Sequence, residues 1–289
     1  MSGRKVLVTG AGGMLGSALV RGFGGWSVAG YDSDGMDITS EEMVESVFAR
    51  EKPDIVIHTA AYTDVDGCER DPEKAYRVNT MGTWRVVSQC MEREIPLVYI
   101  SSTGVYGDDT DTPHSEFDPV APRSVHHRSK VEAEKIVRDH LGKFLIVRTG
   151  WLFGGDIGHR KNFVYKRYLE AREKETLYSD ASQRGNPTCV EELSGQIELL
   201  LKKKVYGVYN CVNRANGVTR LEYVSKIVEL FGLDCRVAEA PDGMFERVAP
   251  VSKNESARNC KLDLTGLNIM GDWEPALERY IERLRKEIR

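Results

Sequence analysis

Short apolar runs alternate with amphipathic stretches through the first half of the chain. Lys5–Thr9 and Ser27–Tyr31 have strand length, and Asp54–Thr59 is apolar enough for a strand covered on both faces. Leu97–Ser101 and Phe144–Arg148 repeat the pattern. Helical spacing fills the gaps: Met14–Phe23, a segment running to about Glu51, another opened by Asp71-Pro72-Glu73, and a charged one over Ser129–His140. Thr39 or Ser40 supplies the N-cap of the second, with Glu41 and Glu42 in its first turn, and Pro53 stops it. Pro72 suits the first turn of the third. Such strand–helix alternation predicts an α/β fold, a doubly wound parallel sheet with helices on both faces.

After Trp151 the pattern loosens. A Gly-rich stretch (Gly154, Gly155, Gly158) precedes a helix around Asn162–Arg172 and a polar segment ending in Asn186-Pro187-Thr188. Amphipathic helices follow over Glu191–Lys202 and Leu221–Phe231, and a charged helix over Glu274–Ile288 closes the chain. The expected division is a main unit over 1–150 and a smaller C-terminal lobe over 151–289, interleaved with late elements of the sheet.

The first strand-to-helix turn carries candidate chemistry. Lys5–Thr9 leads into Gly10-Ala-Gly-Gly13-Met14-Leu15-Gly16, and a helix follows. Gly10 permits the tight turn, Gly13 lets a pyrophosphate approach the backbone, and Gly16 lets helix pack against strand. Met14 and Leu15 then open a helix whose N-terminus favours anions. This is a Rossmann-type arrangement, with 1–150 as a dinucleotide-binding domain. Asp32 follows the second strand, where an acidic residue binds the adenosine ribose hydroxyls. Ser33 and Asp34 come next, with no Arg or Lys, so the expected cofactor is NAD(H) or NADP(H), tilted towards NAD. Asp37-Ile38 is placed beside the adenine.

Composition narrows the field. With 40 Lys and Arg against 44 Asp and Glu, the net charge of −4 argues against nucleic acid as a partner. No apolar run approaches the roughly 20 residues that cross a membrane. Cys68, Cys90, Cys189, Cys211, Cys235 and Cys260 show no CxxC pair, so neither a metal site nor a disulfide framework is indicated. The N-terminus enters a strand at once, without a signal-peptide apolar region, and the expectation is a cytoplasmic protein with reduced thiols. Its assembly is not readable, a homodimer being the commonest form of oligomer.

Beyond the glycine loop the chain resembles the extended short-chain dehydrogenase/reductase superfamily. His58-Thr-Ala-Ala-Tyr62-Thr-Asp64-Val-Asp66 is similar to the family segment in which small residues let the dinucleotide pass. Asn79 matches a helix asparagine, and Ile100-Ser-Ser102-Thr103-Gly-Val-Tyr106-Gly resembles the strand end bearing the active-site hydroxyl. Within the superfamily the chain is most similar to the dTDP-4-dehydrorhamnose reductase family. The matching segments include Arg148-Thr-Gly-Trp151-Leu-Phe-Gly154, Lys161-Asn162-Phe163, Gln183-Arg-Gly-Asn-Pro187-Thr188, Gly207-Val-Tyr-Asn210 and Ser256-Ala-Arg-Asn-Cys-Lys-Leu262. The resemblance implies NAD(P)H-dependent reduction of the 4-keto group of a nucleotide-activated 6-deoxy sugar. It implies Ala60, Ala61 and Tyr62 beside the dinucleotide, Ser102 and Thr103 on the carbonyl, and Val105, Tyr106, Trp151, Asn162, Arg184 and Pro187 towards the sugar nucleotide. Lys130 would bind the nicotinamide ribose and lower its neighbour's pKa.

The superfamily signature Tyr-x-x-x-Lys is broken. Four residues before Lys130, in Ser124-Val-His126-His127-Arg-Ser-Lys130, stands His126. Reduction of a ketone makes an alkoxide that needs a positioned acid. Three readings follow. His126 donates the proton itself, its ordinary pKa near 6.5 suiting neutral pH. Alternatively the role is lost, and the chain is a dinucleotide-binding regulatory or structural subunit. In the third, a water or Tyr106 is the donor.

Overall fold

The structure, a computed structural model, describes residues 4–107 and 110–288. In chain order the first half holds β1 (Lys5–Thr9), α1 (Met14–Gly22), β2 (Ser27–Tyr31), α2 (Glu41–Glu51), β3 (Ile55–His58), α3 (Val65–Arg70), α4 (Pro72–Tyr76), α5 (Gly82–Glu92), β4 (Leu97–Ser102), α6 (Val125–His140) and β5 (Phe144–Thr149). The second half holds β6 (Leu152–Phe153), α7 (Phe163–Glu173), β7 (Thr176–Ser179), β8 (Arg184–Gly185), β9 (Thr188–Cys189), α8 (Val190–Lys202), β10 (Gly207–Asn210), β11 (Val218–Thr219), α9 (Arg220–Phe231), β12 (Arg236–Glu239), α10 (Cys260–Thr265) and α11 (Trp273–Ile288). The main sheet is parallel throughout, in the order β10-β5-β4-β3-β1-β2. It is the doubly wound sheet that the alternation predicts.

Side chains alternate across each strand, and both faces are covered. On one face Val6, Val8, Ile57 and Val98 pack with Leu15 and Leu19 of α1 and Leu193, Ile197 and Leu200 of α8. On the other, Leu7, Val56, Tyr99 and Ile146 meet Phe48 of α2, Val86 and Val87 of α5, and Ala133 and Val137 of α6. This double coverage explains why the strands read as continuous apolar runs. A separate core joins Phe153, Tyr223, Ile227, Trp273, Leu277 and Tyr280, from β6, α9 and α11. From β1 the chain moves to β2 on one side and then to β3 on the other. The reversal opens a crevice at the carboxyl ends of β1 and β3.

Among the differences from the sequence expectation, two concern the main sheet and a helix that covers it. Helix α6 starts at Val125, a turn before Ser129, because Ser124 caps it by accepting the His127 N–H at 3.3 Å. Strand β10 joins the main sheet at its edge beside β5. Its four residues are mostly half-buried, which leaves no alternation to read.

A buried ion pair fastens α6 to the sheet. The Glu134 carboxylate accepts from Arg148 Nε and Nη2 at 3.0 and 2.7 Å and from Ser101 Oγ at 2.6 Å. Their side chains are 0% and 5% exposed. Removing one partner of such a pair strands the other charge, at about 3–5 kcal/mol. Glu134→Ala is therefore expected to lose stability on that scale in urea unfolding, while the double variant Glu134→Leu/Arg148→Met recovers most of it.

Candidate active site

The crevice between β1 and β3 continues into a cleft of about 1110 Å³ that runs to the C-terminal lobe. Its walls include Gly10, Gly13, Met14, Leu15, Gly16, Asp32, Ala60, Ala61, Ser102, His126, Lys130 and Trp151, all singled out from the sequence.

At one end lies the glycine loop. Gly10 has φ +69°, and a Cβ there would fall 2.8 Å from the Ala60 nitrogen. A Cβ on Gly16 would fall 2.1 Å from the Gly10 carbonyl oxygen. These two glycines let loop, β3 and α1 close up. Beside Gly13, by contrast, only the Gly10 carbonyl oxygen comes within 4 Å of such a Cβ, so this side of the loop keeps its room. Gly13 is the N-cap of α1 and offers no side-chain cap. The first-turn N–H groups are thus left for an anion. The exposed Asp32 carboxylate accepts the Gly12 N–H at 2.6 Å. Together these features fit a dinucleotide.

The same cleft is lined by residues that were not chosen for the site from the sequence. His159, Arg160 and Lys161 line the cleft. His159 Nδ1 lies 2.9 Å from Asp156 Oδ1 and its Nε2 3.2 Å from Ser17 Oγ, so this loop is tied down on α1. Three basic residues directly after a Gly-rich stretch were a readable signal of an anion-facing loop.

The middle of the cleft is set by β4 and α6. Ser102 Oγ accepts the Gly104 N–H at 3.2 Å, and its own proton finds no protein acceptor among the described residues. His126 is buried, with Nδ1 3.1 Å from the Tyr62 carbonyl oxygen and 3.9 Å from Cys68 Sγ. A carbonyl only accepts, so Nδ1 carries the proton and Nε2 holds the lone pair. Burial first, then the charges of His127 and Lys130, pull the imidazole down to about 3. Lys130 lies one turn on, its ammonium 4.2 Å above the Tyr99 ring and without a hydrogen bond among the described residues. Burial lowers it to about 7, although Glu134 pulls the other way.

At the lobe end Trp151 adopts φ 47°, left-handed for a residue with a side chain, a strain of order 1–3 kcal/mol. The indole is held by its Nε1–H to Glu255 at 3.0 Å and by Arg220, whose guanidinium carbon is 3.5 Å from the ring centre. Arg220 and Tyr223 also line this end. Arg220 donates from Nε to Gln183 at 3.4 Å, and the Tyr223 hydroxyl is buried without a partner among the described residues. Neither had a sequence signal, because a helix start gives no hint of which cavity it faces.

Several expected residues lie outside the cleft lining. Thr103 is buried behind Gly150. Val105 is core, and the Tyr106 hydroxyl donates to Asn210 at 2.7 Å, its ring stacked on His114. Burial pushes that phenol up to about 12, and its place in the core removes it as a proton donor to the cleft. Asp37 accepts from the Thr39 N–H and hydroxyl, both at 2.8 Å, while Ile38 is core. Tyr62 acts through its backbone, bridging His126 and Asn79, whose amide also donates to Ser129. Asn162 caps α7 and donates to Tyr280 at 2.6 Å. Arg184 is exposed on β8 and Pro187 is buried in the following turn.

A doubly wound sheet with a glycine loop facing a hydroxyl–lysine pair defines a dinucleotide-binding α/β protein of the extended short-chain dehydrogenase/reductase class. The RmlD substrate binding domain matches residues 4–286. A dTDP-4-dehydrorhamnose reductase of Mycobacterium tuberculosis is 30% identical over 286 residues, covering 96% of this chain and 93% of that protein. A probable low-salt glycan biosynthesis reductase of Haloferax volcanii is 33% identical, covering 94% of each. The crystal structure of dTDP-4-dehydrorhamnose reductase from Bacillus anthracis in complex with NADP superposes with a TM-score of 0.92 at 31% identity, over 97% of this chain and 99% of that one. The chain belongs to the dTDP-4-dehydrorhamnose reductase family.

The Tyr62 contact makes a direct prediction. Nitrogen-15 spectra should show His126 neutral, with its proton on Nδ1, down to about pH 4, given a value of about 3. A ring that charges near 6.5 would contradict the buried tautomer.

Proposed function

We propose that the chain reduces the 4-keto group of a nucleotide-activated 6-deoxy sugar, with a nicotinamide dinucleotide as reductant. One observation carries the reading: the glycine loop, the Ser102–Lys130 pair and an aromatic, basic lobe end open into a single cleft. The names of the relatives support the same chemistry, dTDP-4-dehydrorhamnose reductase among them.

In this reading Gly10, Gly13 and Gly16, with the first turn of α1, hold the pyrophosphate, and Arg160 adds a cation to the same cleft. Asp32 takes the ribose hydroxyls, and Ala60 and Ala61 leave room for the dinucleotide. Bound dihydronicotinamide supplies the hydride. Ser102 donates its free O–H to the sugar carbonyl, which holds and polarises it. At the lobe end the Trp151–Arg220 stack receives the nucleotide's phosphates, a guanidinium with unused donors being suited to them. The cofactor is NAD(H) or NADP(H). The Asp32 carboxylate favours NAD because it opposes a 2′-phosphate, while the Bacillus anthracis relative was solved with NADP.

A second reading has its own support. Neutral His126 presents a lone pair at Nε2 where the family places a phenol, as a dinucleotide-binding subunit without reductase activity would allow.

Loss of NADH or NADPH absorbance with a dTDP-4-keto-6-deoxy sugar tests the choice. Turnover is expected. A dinucleotide that raises the melting temperature without any turnover would favour the second reading. Arg220→Gln is expected to raise KM for the nucleotide sugar about tenfold or more, the worth of a hydrogen bond to a charged group. Its dinucleotide affinity, measured by fluorescence, should not change.

A further inference from the structure

The reduction proposed above leaves an oxygen that must be protonated, and few groups bordering the cleft can do it. Tyr106 is in the core, bonded to Asn210, and the Tyr223 phenol, at the lobe end beside Trp151, is pushed far above neutrality by burial. The proton of His126 points at the Tyr62 carbonyl, away from an acceptor on Nε2. Ser102 and Thr149 border the cleft, but a hydroxyl is a poor acid unless something resupplies it. Lys161 is engaged with Thr63. Lys130 differs from all of these. Its ammonium is buried, borders the cleft, sits over the Tyr99 ring and makes no hydrogen bond among the described residues. The nearest carboxylate is already used: Glu134 receives both Arg148 and Ser101.

We propose that Lys130, not His126, delivers the proton to the sugar oxygen, an assignment that rests on the reductase reading. The two electrons that reduce the carbonyl carbon arrive with the hydride of the dihydronicotinamide, and the C=O π pair moves to oxygen. An O–H bond forms there as one Nζ–H bond breaks, its pair staying on nitrogen. Solvent then returns a proton to the amine, and the products are the alcohol and the oxidised nicotinamide.

The surroundings bear this out from every side. His126, His127 and Glu134 face Lys130 from its own helix, His58 from β3 and Tyr99 from β4, while Arg148 of β5 is paired to Glu134 and Lys161 acts on His126. His58 is itself held neutral, lowered to about 3 by burial and then by Lys130. The paired Glu134 and the face of the Tyr99 ring favour the charged form, while burial opposes it and no carboxylate is bonded to the ammonium among the described residues. An ammonium lowered to about 7 is matched to proton transfer at neutral pH, whereas an imidazolium at about 3 would be almost absent.

Two measurements test this. In the protein without cofactor, competitive acetylation followed by peptide mass spectrometry should give Lys130 a midpoint near 7, with exposed lysines near the ordinary value of about 10.4. A midpoint near 10 would overturn the assignment. In turnover at saturating dinucleotide, the protonated amine is the active form. The wild-type rate should then be level below about pH 7 and fall about tenfold per unit above it. Lys130→Ala should lose about a hundredfold or more, within the usual worth of a general acid, and regain at least about tenfold with added methylamine or ethylamine. A rate falling about tenfold per unit from pH 5 to 8 would identify His126 instead. Absence of amine rescue would sink the proposal while the reductase reading stood. No turnover by the wild-type chain with any 4-keto nucleotide sugar would sink both.

Discussion

The buried Glu134–Arg148 pair is the joint on which the part of the cleft lined by Ser102, His126 and Lys130 depends. Glu134 belongs to α6, Arg148 to β5 and Ser101 to β4, so one carboxylate locks a helix to two adjacent strands. Desolvating two charges is costly unless the geometry is good and the lone pairs are filled, and here three donors fill them. Lys130 lies one turn before Glu134 and His126 two turns before. Both are therefore carried to the cleft wall in fixed register with Ser102, the last residue of β4. Arg148 also packs over the Tyr106 ring at 4.9 Å, which helps hold that phenol in the core.

The same joint shapes the electrostatics. Glu134 is consumed by Arg148, so Lys130 has an anion near but not bonded to it. A lysine paired directly would stay charged well above neutrality, and one with no carboxylate nearby would be lower still. The intermediate condition places its titration at neutral pH. The imidazole at 126 experiences the opposite balance: burial and cationic neighbours act together, and only the Tyr62 carbonyl resists.

Much of the fold and the dinucleotide end was legible in order along the chain. Strand-length apolar runs, the cap at Ser40 and the three glycines are local signals, because they report on backbone conformation and on burial within a few residues. The small residues after β3 and the hydroxyl at the end of β4 were legible through their resemblance to a family pattern. The lobe end was not. Trp151 was visible as an aromatic in a family position, but its left-handed backbone and its stack with Arg220 arise from segments 69 residues apart, held by Glu255 from a third. Asn162, Thr103 and Tyr106 were read as site residues because they fall in segments that resemble the family's. Their side chains turn inward to cap α7, fill space behind Gly150 and bond Asn210.

The sequence by itself determined the class of sheet, the glycine loop and the absence of the usual tyrosine, since each is written in residue identity and short spacing. Which proton-bearing group replaces the phenol was a tertiary matter. Position 126 reads as an ordinary titrating histidine until the Tyr62 carbonyl, from the loop after β3, accepts a hydrogen bond from its Nδ1–H and the surrounding core removes its water. Lys130 reads as an ordinary cation until β4 and β5 supply the Tyr99 ring beneath it and occupy the carboxylate beside it. Hydrogen-bond partner and degree of burial set the protonation state, and both come from residues distant in the chain.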